Sequence, residues 1–240
     1  MTWLRRDEGV GEPSAASASV GTAPAAPEEI GHAAPGLKQA LERLPRPGAS
    51  VLDLGPALES NIDFFNRLGA RLRIADLERS LREEDLWQPP AKLAAWERAV
   101  EPTLAAGDAE RYDLVLAWDL PNYLGRERWS TVARRLVERL APGGMLHLLA
   151  RTGKQMPATP SHFRWVEIDR IREEPRDAAL VTPPRFSHGE IERIHSGLAA
   201  ARSFLDKHGL QEFVLEHADE LKLPPRAVAQ PRKPRSYYPG

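Results

Sequence analysis

The sequence predicts an α/β fold in which helices cover both faces of a doubly wound, mostly parallel sheet. Apolar runs of strand length alternate with helical patterns along most of the chain, an order typical of strands joined by crossover helices. The runs at 51–54, 112–118 and 145–150 are nearly continuous in apolar residues, as expected of parallel strands buried on both faces. Such sheets bind ligands at the carboxyl ends of their strands, where the strand order reverses. We therefore expect any functional site at that edge.

The first elements are two helices and two strands. A helical pattern covers 37–44, and a strand at 49–55 follows it. Ser60 then provides the N-cap side chain of a second helix, which Gly69 ends. A second strand is expected at 71–77, so the first half of the chain reads as a regular alternation.

The middle of the chain departs from this alternation. Residues 78–111 contain no four-residue run of β-branched side chains. A stripe at helical spacing is formed there by Leu93, Trp96 and Val100. We therefore predict helix and no strand in this region. The clearest strand of the sequence follows at 112–120.

Helix and strand alternate again after this strand. Residues 127–140 form an amphipathic helix, and the Pro-Gly-Gly segment at 142–144 ends it. A buried strand is predicted at 145–150. Residues 163–171 alternate between polar and apolar side chains, which predicts one half-exposed strand.

A capping box opens the last predicted helix. Ser187 and Glu190 have the required spacing, and we expect this helix to end near Gly209. The strand at 211–217 then completes the predicted sheet.

Composition indicates one folded domain between two unstructured ends. A chain of 240 residues is long enough for one sizeable core. Residues 1–36 have few aliphatic side chains and no periodicity, and 224–240 are rich in proline and arginine, so we predict disorder for both. The folded domain would then cover 37–223. The C-terminal tail is also a candidate docking segment for an acidic or aromatic-binding protein partner.

Several classes of protein are disfavoured by composition. A formal net charge of −1 argues against nucleic acid as the main partner. The absence of cysteine excludes disulfides and thiolate metal sites, and the histidines do not cluster as metal ligands would. No run approaches 18 apolar residues, so no membrane span is expected. We expect a soluble cytoplasmic protein without a metal.

Polar residues and a glycine lie at three of the predicted strand ends. The first strand ends at Asp53 and Gly55, the second at Asp76 and the third at Asp119. Asp76 follows the first strand by about 20 residues, the spacing at which a carboxylate accepts the ribose hydroxyls of a bound nucleoside. The alternative is a strand-end carboxylate that faces water.

Four segments together resemble the motif series of the class I S-adenosylmethionine-dependent methyltransferases. They span about residues 49–150 and read VLDLG, RIADLE, YDLVLAWDLPNYL and LAPGGMLHLLA. The resemblance implies a Rossmann-like methyltransferase fold with S-adenosylmethionine as cofactor. It places Asp53 and Gly55 under the methionine part of that cofactor, and it gives Asp76 the ribose.

The cofactor loop departs from the family in its glycines. Gly55 is kept, whereas Ala57 and Glu59 stand where further glycines are expected. Ala57 would still belong to the cofactor-binding loop. Glu59 would either favour the following helix N-terminus or repel the cofactor's carboxylate. Asp108 resembles the family's adenine-contacting acid, and the alternative for it is a turn residue between a helix and a strand.

Candidate catalytic residues follow the strand at 112–120. Amino-group methyltransferases often carry Asn/Asp-Pro-Pro-Tyr at this place, and the sequence DLPNY at 119–123 is similar to it. The resemblance therefore implies that Asp119, Asn122 and Tyr123 border the methyl group and its acceptor.

Three functions are compatible with these observations. The first is an S-adenosylmethionine-dependent methyltransferase of unknown acceptor, because methyl transfer by positioning needs few acid–base residues. The second is a methyltransferase-like scaffold or interaction protein that has lost the cofactor, which the missing glycines and the missing strand favour. A nicotinamide-dependent oxidoreductase is the least favoured, since its fingerprint needs the same absent glycines.

Overall fold

The computed structural model describes residues 30–217 except 46, 88–91 and 105–110. Its elements follow one another in the order β1 (Ile30–Ala33), α1 (Pro35–Arg43), β2 (Ser50–Asp53), α2 (Glu59–Arg67), β3 (Arg71–Ile74), α3 (Leu77–Glu83), α4 (Leu93–Leu104), β4 (Tyr112–Leu116), α5 (Leu120–Arg139), β5 (Leu140–Arg151), β6 (Met156–Pro157), β7 (His162–Glu167), β8 (Arg170–Glu174), β9 (Leu180–Val181), α6 (His188–Ile194), β10 (Leu198–Leu205) and β11 (Leu210–His217). The predictions for Asp108, for residues 1–29 and for the C-terminal tail lie outside the described residues.

A six-stranded sheet in the order β10-β11-β5-β4-β2-β3 forms the centre of the fold. Strands β3, β2, β4 and β5 are parallel, and β11 is antiparallel to both of its neighbours. The predicted doubly wound, mostly parallel sheet is therefore confirmed. The chain passes from β2 to β3 on one side and then returns to β4 on the other. Because the order reverses there, the ligand position expected for such sheets lies between the carboxyl ends of β2 and β4.

Each face of this sheet has its own apolar cluster. On one face, Trp96 of α4 and Trp129 of α5 are fully buried. On the other face, Leu41 of α1 and Phe65 of α2 pack with Trp165 of β7. Burying large aromatic and aliphatic side chains in this way supplies the main driving force for the fold, roughly 1.5–3 kcal/mol for each such side chain.

Residues 163–171 form most of a hairpin rather than the single predicted strand. Strands β7 and β8 are antiparallel, reverse through residues 168–169, and join β1 in a three-stranded sheet. The loop is isoleucine-aspartate, which lacks the glycine-containing signal of a two-residue hairpin turn. Strand β1, which pairs with β8, begins at Ile30 and so precedes residue 37, the predicted start of the domain.

The predicted helix from Ser187 to Gly209 is a short helix followed by a strand. The capping box is present: the Ser187 hydroxyl accepts from the Glu190 N–H, and the Glu190 carboxylate accepts from the Ser187 N–H. Helix α6 ends at Ile194, and after Gly197, whose φ is +105°, the chain continues as β10. The alanine-rich β10 has high helix propensity, but antiparallel pairing with β11 decides its conformation.

Two helices begin earlier than predicted. Helix α2 begins at Glu59 after Leu58, which provides no capping side chain, so Ser60 is not the N-cap. Helix α5 begins at Leu120, well before its predicted start, and is kinked at Gly125 (φ 71°, ψ 178°). The predicted catalytic segment therefore lies at the start of a helix.

Strand β5 is longer than predicted and contains the Pro-Gly-Gly segment as an irregularity in its pairing with β4. Gly143 has φ +72°, a conformation that L-residues rarely adopt. A Cβ atom on Gly144 would lie 2.7 Å from the carbonyl oxygen of Tyr112. Gly143 is therefore required by its backbone conformation, and Gly144 by the close approach of the two strands.

The region 78–111 is helical, as predicted, with α3 and α4 and no strand among its described residues. Strand β3 consequently forms an edge of the central sheet. In the described part of the chain, no helix is long and apolar enough to span a membrane.

Candidate functional site

Three of the predicted strand-end residues line one cavity at the point where the strand order reverses. Gly55 follows β2, Asp76 follows β3 and Asp119 follows β4, and all three border this switch-point cavity. Its volume is about 20 Å³, which is room for about one water molecule. The structure therefore brings together the residues that were selected from the ends of three different strands, around a nearly closed space.

Trp118 closes this space, and sequence reasoning did not select it. Its indole N–H donates to Asp53 Oδ1 at 2.6 Å, and its ring stacks on Phe163 with centroids 5.5 Å apart and planes 7° apart. A Cβ atom on Gly55 would lie only 2.8 Å from the indole nitrogen. Gly55 is therefore needed for the packing of Trp118. The available signal was a tryptophan directly after a buried strand and next to a candidate acid.

The backbone at the strand ends is strained. Trp118 has φ +48° and Asp76 has φ +41°. Aspartate tolerates this left-handed region, whereas a bulky side chain there is a genuine outlier. Such positions cost about 1–3 kcal/mol and concentrate at functional sites. The strain at Trp118 lies directly beside the cavity.

Asp53 is buried beneath the loop that follows β2. Burial raises its pKa to about 6, although the hydrogen bonds from Trp118 and from the Gly55 N–H favour the charged form. The carboxylate thus orders the turn at Gly55 and anchors the indole. The Asp53 side chain holds the loop through the Gly55 N–H, and it does not line the cavity.

The raised pKa makes a prediction for the Asp53→Asn variant, which keeps an acceptor oxygen for the Gly55 N–H. In the wild-type protein, the stabilising contribution of the protonated carboxyl is complete below about pH 4 and is lost as pH rises to 6. The variant should therefore gain about 2 kcal/mol of unfolding free energy relative to wild type between pH 4 and pH 7. Urea denaturation of both proteins at each pH measures this difference, and a pH-independent difference would contradict the assignment.

Asp76 is the N-cap of α3. One carboxylate oxygen accepts from the Arg79 N–H at 3.3 Å, and no other hydrogen bond of this carboxylate to a described residue is present. The second oxygen is therefore open, without a hydrogen bond to a described residue, and Asp76 lines the cavity. A carboxylate with a fixed position and an open oxygen can accept a hydroxyl hydrogen bond.

The loop between β2 and α2 turns its charged side chain to solvent. Ala57 and Glu59 are exposed, whereas Leu58 is buried and lines the cavity. Glu59 therefore does not block the cavity. The space is limited by Leu58, Trp118 and Phe163 instead.

The three candidate catalytic residues are engaged by protein groups at the start of α5. Asp119 accepts from Arg151 Nε at 3.0 Å and Nη2 at 2.5 Å, and burial raises its pKa to about 6. Asn122 donates to the Pro184 carbonyl and accepts from the Arg151 N–H. Asn122 is buried, and it does not line the switch-point cavity.

Tyr123 lies away from the cavity as well. Its hydroxyl is 3.0 Å from the carbonyl oxygens of both Pro157 and Thr159, and burial raises its pKa. Together with Asn122 it fixes the segment between β5 and α6 over the sheet edge. Of the three candidates, only Asp119 reaches the cavity.

Arg151 is the centre of a buried ionic network that joins five parts of the chain. Its Nη2 donates to Glu173 at 2.6 Å in addition to Asp119, and His32 lies between Glu173, at 3.0 Å, and Asp206. Burial alone would raise the pKa of Glu173, but His32 and Arg151 hold it at about 2. Burial alone would lower the pKa of His32, yet its two carboxylate partners raise it. The ion pairs therefore favour the charged form of Glu173 and of His32 against the effect of burial.

Two searches against known sequences found nothing similar: no protein-family model and no curated protein matches the chain. Solved structures similar to it include methyltransferases. N-methyltransferase NodS from Bradyrhizobium japonicum WM9, in complex with S-adenosyl-L-homocysteine, is 15% identical with a TM-score of 0.41 over 76% of this chain and 86% of that chain. The 1,6-didemethyltoxoflavin-N1-methyltransferase from Burkholderia thailandensis, with its substrate and S-adenosylhomocysteine, is 16% identical with a TM-score of 0.42 over 76% and 78%. An S-adenosylmethionine-dependent methyltransferase from Methanosarcina mazei is 10% identical with a TM-score of 0.42 over 74% and 96%.

Among the described residues, no group of three or more histidine, aspartate and glutamate side chains is placed to hold a metal ion.

Proposed function

We propose that this chain is an S-adenosylmethionine-dependent methyltransferase whose cofactor binds at the switch point of the sheet. The observation that carries the proposal is the convergence of Gly55, Asp76 and Asp119 on one cavity between the carboxyl ends of the parallel strands. Asp76 binds the ribose through its open carboxylate oxygen. The loop from Gly55 to Ala57, held by Asp53, follows the methionine part.

The residues fit the two ends of the cofactor unequally. At the ribose end, the carboxylate of Asp76 is in place and has an open oxygen. At the methionine end, the indole of Trp118 occupies the space above Gly55. Trp118 must therefore move before a molecule of this size can enter. Asp119, which also lines the cavity, then borders the acceptor, and positioning supplies most of the rate enhancement.

A second candidate function is favoured by Trp118 itself. If the indole stays in place, the fold holds no cofactor, and the chain acts as an interaction protein through its surfaces. Its hydrogen bond to Asp53 and its stack on Phe163 are the specific observations that support this alternative.

Calorimetric titration with S-adenosylmethionine and with S-adenosylhomocysteine separates the two. Micromolar binding to the wild-type protein supports the methyltransferase. No heat with a protein that circular dichroism shows to be folded would overturn it and support the interaction protein.

The ribose assignment is tested with Asp76→Ala and Asp76→Asn. Both variants remove the charged acceptor, so both should weaken S-adenosylhomocysteine binding at least about tenfold, the loss expected when a charged hydrogen bond is removed. Asparagine keeps the N-cap and tolerates the left-handed backbone, so only alanine should also lower stability, by about 0.5–2 kcal/mol. Unchanged binding by Asp76→Asn would contradict the role of the carboxylate.

A further inference from the structure

A second and larger cavity lies on the opposite side of the Arg151 network. We call it the outer cleft, and its volume is 440 Å³, within the range of small-molecule sites. It is bordered by β1, by the carboxyl end of β5, by β6 and β9, and by the turn between β10 and β11. Asp119 faces the switch-point cavity and Arg151 faces the outer cleft, so the Asp119–Arg151 ion pair forms part of the wall between them.

A prearranged donor lies in this cleft. The guanidinium of Arg151 is fixed by Asp119, Glu173 and Ser161, and its carbon lies 5.9 Å from the ring centroid of Phe163. Its Nε and Nη2 are used in these contacts, whereas Nη1 has no hydrogen bond to any described residue. A planar donor held so firmly binds an acceptor oxygen with little loss of side-chain entropy.

The remaining lining combines exposed polar side chains with apolar surface. His208 and Gln155 border the cleft and are exposed. Met156 and Leu180 provide an apolar side, and Leu180 is 54% exposed. The cleft therefore suits a ligand with one polar group at the Arg151 end and an apolar body.

The charges of the Arg151 network determine which polar group a ligand can carry at the Arg151 end of the cleft. Three carboxylates, those of Asp119, Glu173 and Asp206, face only two cations, Arg151 and His32. A ligand carboxylate would add a further negative charge to a buried cluster that already has an excess of one, which is unfavourable at low dielectric. A ligand cation would be attracted by the carboxylates of Glu173 and Asp177 that line the cleft, but it has no acceptor to offer Nη1 and would leave this donor without a hydrogen bond. A neutral carbonyl oxygen meets neither difficulty.

We propose that the outer cleft is a binding site for a small neutral molecule with a carbonyl oxygen and an apolar body. The carbonyl oxygen accepts from Arg151 Nη1, and the body packs on Met156 and Leu180. This inference concerns a site that is separate from the switch-point cavity and does not depend on cofactor binding.

The test uses the full chain with ¹³C-labelled methionine methyl groups and three probes of similar shape: benzamide, benzoate and benzylammonium. Benzamide should shift the signal of Met156 and leave that of Met145, which packs in the core, unchanged. Benzoate and benzylammonium should bind at least about tenfold more weakly, the effect of one lost or repelled charged contact. Equal shifts with all three probes, or no shift with benzamide, would overturn the proposal.

Two neighbouring surface variants complete the test without disturbing the network. Leu180→Arg fills the cleft and should weaken benzamide binding at least about tenfold. Val181→Arg is the matched control, because Val181 is also exposed but does not border the cleft, and it should bind benzamide as wild type does. Equal benzamide affinities of the two variants would mean that benzamide binds outside the outer cleft, which would overturn the proposal. All measurements are made without S-adenosylmethionine, so their outcome is independent of the proposed methyl transfer.

Discussion

Replacing Arg151 with methionine should lower the free energy of unfolding by about 3–5 kcal/mol, the cost of removing one partner from a buried ionic network. The guanidinium pairs with Asp119 at 2.5 Å and with Glu173 at 2.6 Å, and both carboxylates are almost fully buried. Methionine retains the apolar stem but leaves Asp119 without its cation and Glu173 with His32 as its remaining cationic partner. Because Arg151 also links the end of β5 to β8 and α5, the loss should affect the whole domain cooperatively.

Arg164→Met is the matched control for this prediction. Arg164 pairs with Glu174 at 2.5 Å within the β7–β8 hairpin, but its side chain is 34% exposed. Exposed pairs contribute about 0–1 kcal/mol because water screens them. Urea denaturation of the wild-type protein and both variants gives the two differences. If Arg151→Met lowered the unfolding free energy no more than Arg164→Met, the buried network would contribute no more to stability than an exposed ion pair. That result would contradict the prediction.

The central sheet could be predicted because its buried strands are recognisable as apolar runs in the sequence. Strands β2 and β4 are nearly continuous apolar runs, and they are fully or almost fully buried. The absence of a strand among the described residues of 78–111 was predictable for the same reason, because Leu93, Trp96 and Val100 recur at helical spacing along α4. Local periodicity reports which faces of an element are buried.

The elements that the sequence did not reveal are those decided by pairing partners far away in the chain. Strand β10 has an alanine-rich sequence that favours helix, and it becomes a strand because β11 is available to pair with it. The β7–β8 hairpin turns without a glycine signal and is held by β1, from the opposite end of the chain. Neither interaction can be recognised from a short segment of the sequence.

The candidate site was likewise predictable only in part: the positions of its residues follow from the topology, whereas their contacts do not. Positions at strand ends follow from topology, so Gly55, Asp76 and Asp119 could be selected together. What each side chain binds could not: Asn122 is engaged by Pro184 and by the backbone of Arg151, and no spacing rule connects them. Trp118 was missed because its conformation, with φ +48°, depends on the packing of Phe163 against it.

Trp118→Ala should change stability and cofactor affinity in opposite directions. Removing a buried aromatic side chain costs about 3–5 kcal/mol of unfolding free energy. Under the proposed function, the cofactor displaces the indole from its hydrogen bond with Asp53, worth about 1.5–3 kcal/mol to a charged group, and from its stack on Phe163, worth about 0.5–1.5 kcal/mol. The variant avoids both losses, so S-adenosylhomocysteine should bind it at least about tenfold more tightly than wild type.

Trp165→Ala separates opening of the cavity from general loosening of the same aromatic cluster. Trp165 is nearly buried and contacts Trp118, with ring centroids 6.4 Å apart, but it does not border the switch-point cavity. This variant should be destabilised by a similar amount without any gain in affinity, as calorimetric titration beside urea denaturation would show. Equal gains in both variants would mean that loosening alone admits the ligand, and no gain in Trp118→Ala would mean that the indole is not what closes the site. A third outcome is that Trp118→Ala binds S-adenosylhomocysteine and the wild-type protein does not. The open carboxylate of Asp76 is present in both proteins, so the difference would be due to the indole. Trp118 would then occupy the place of the cofactor in the wild-type fold.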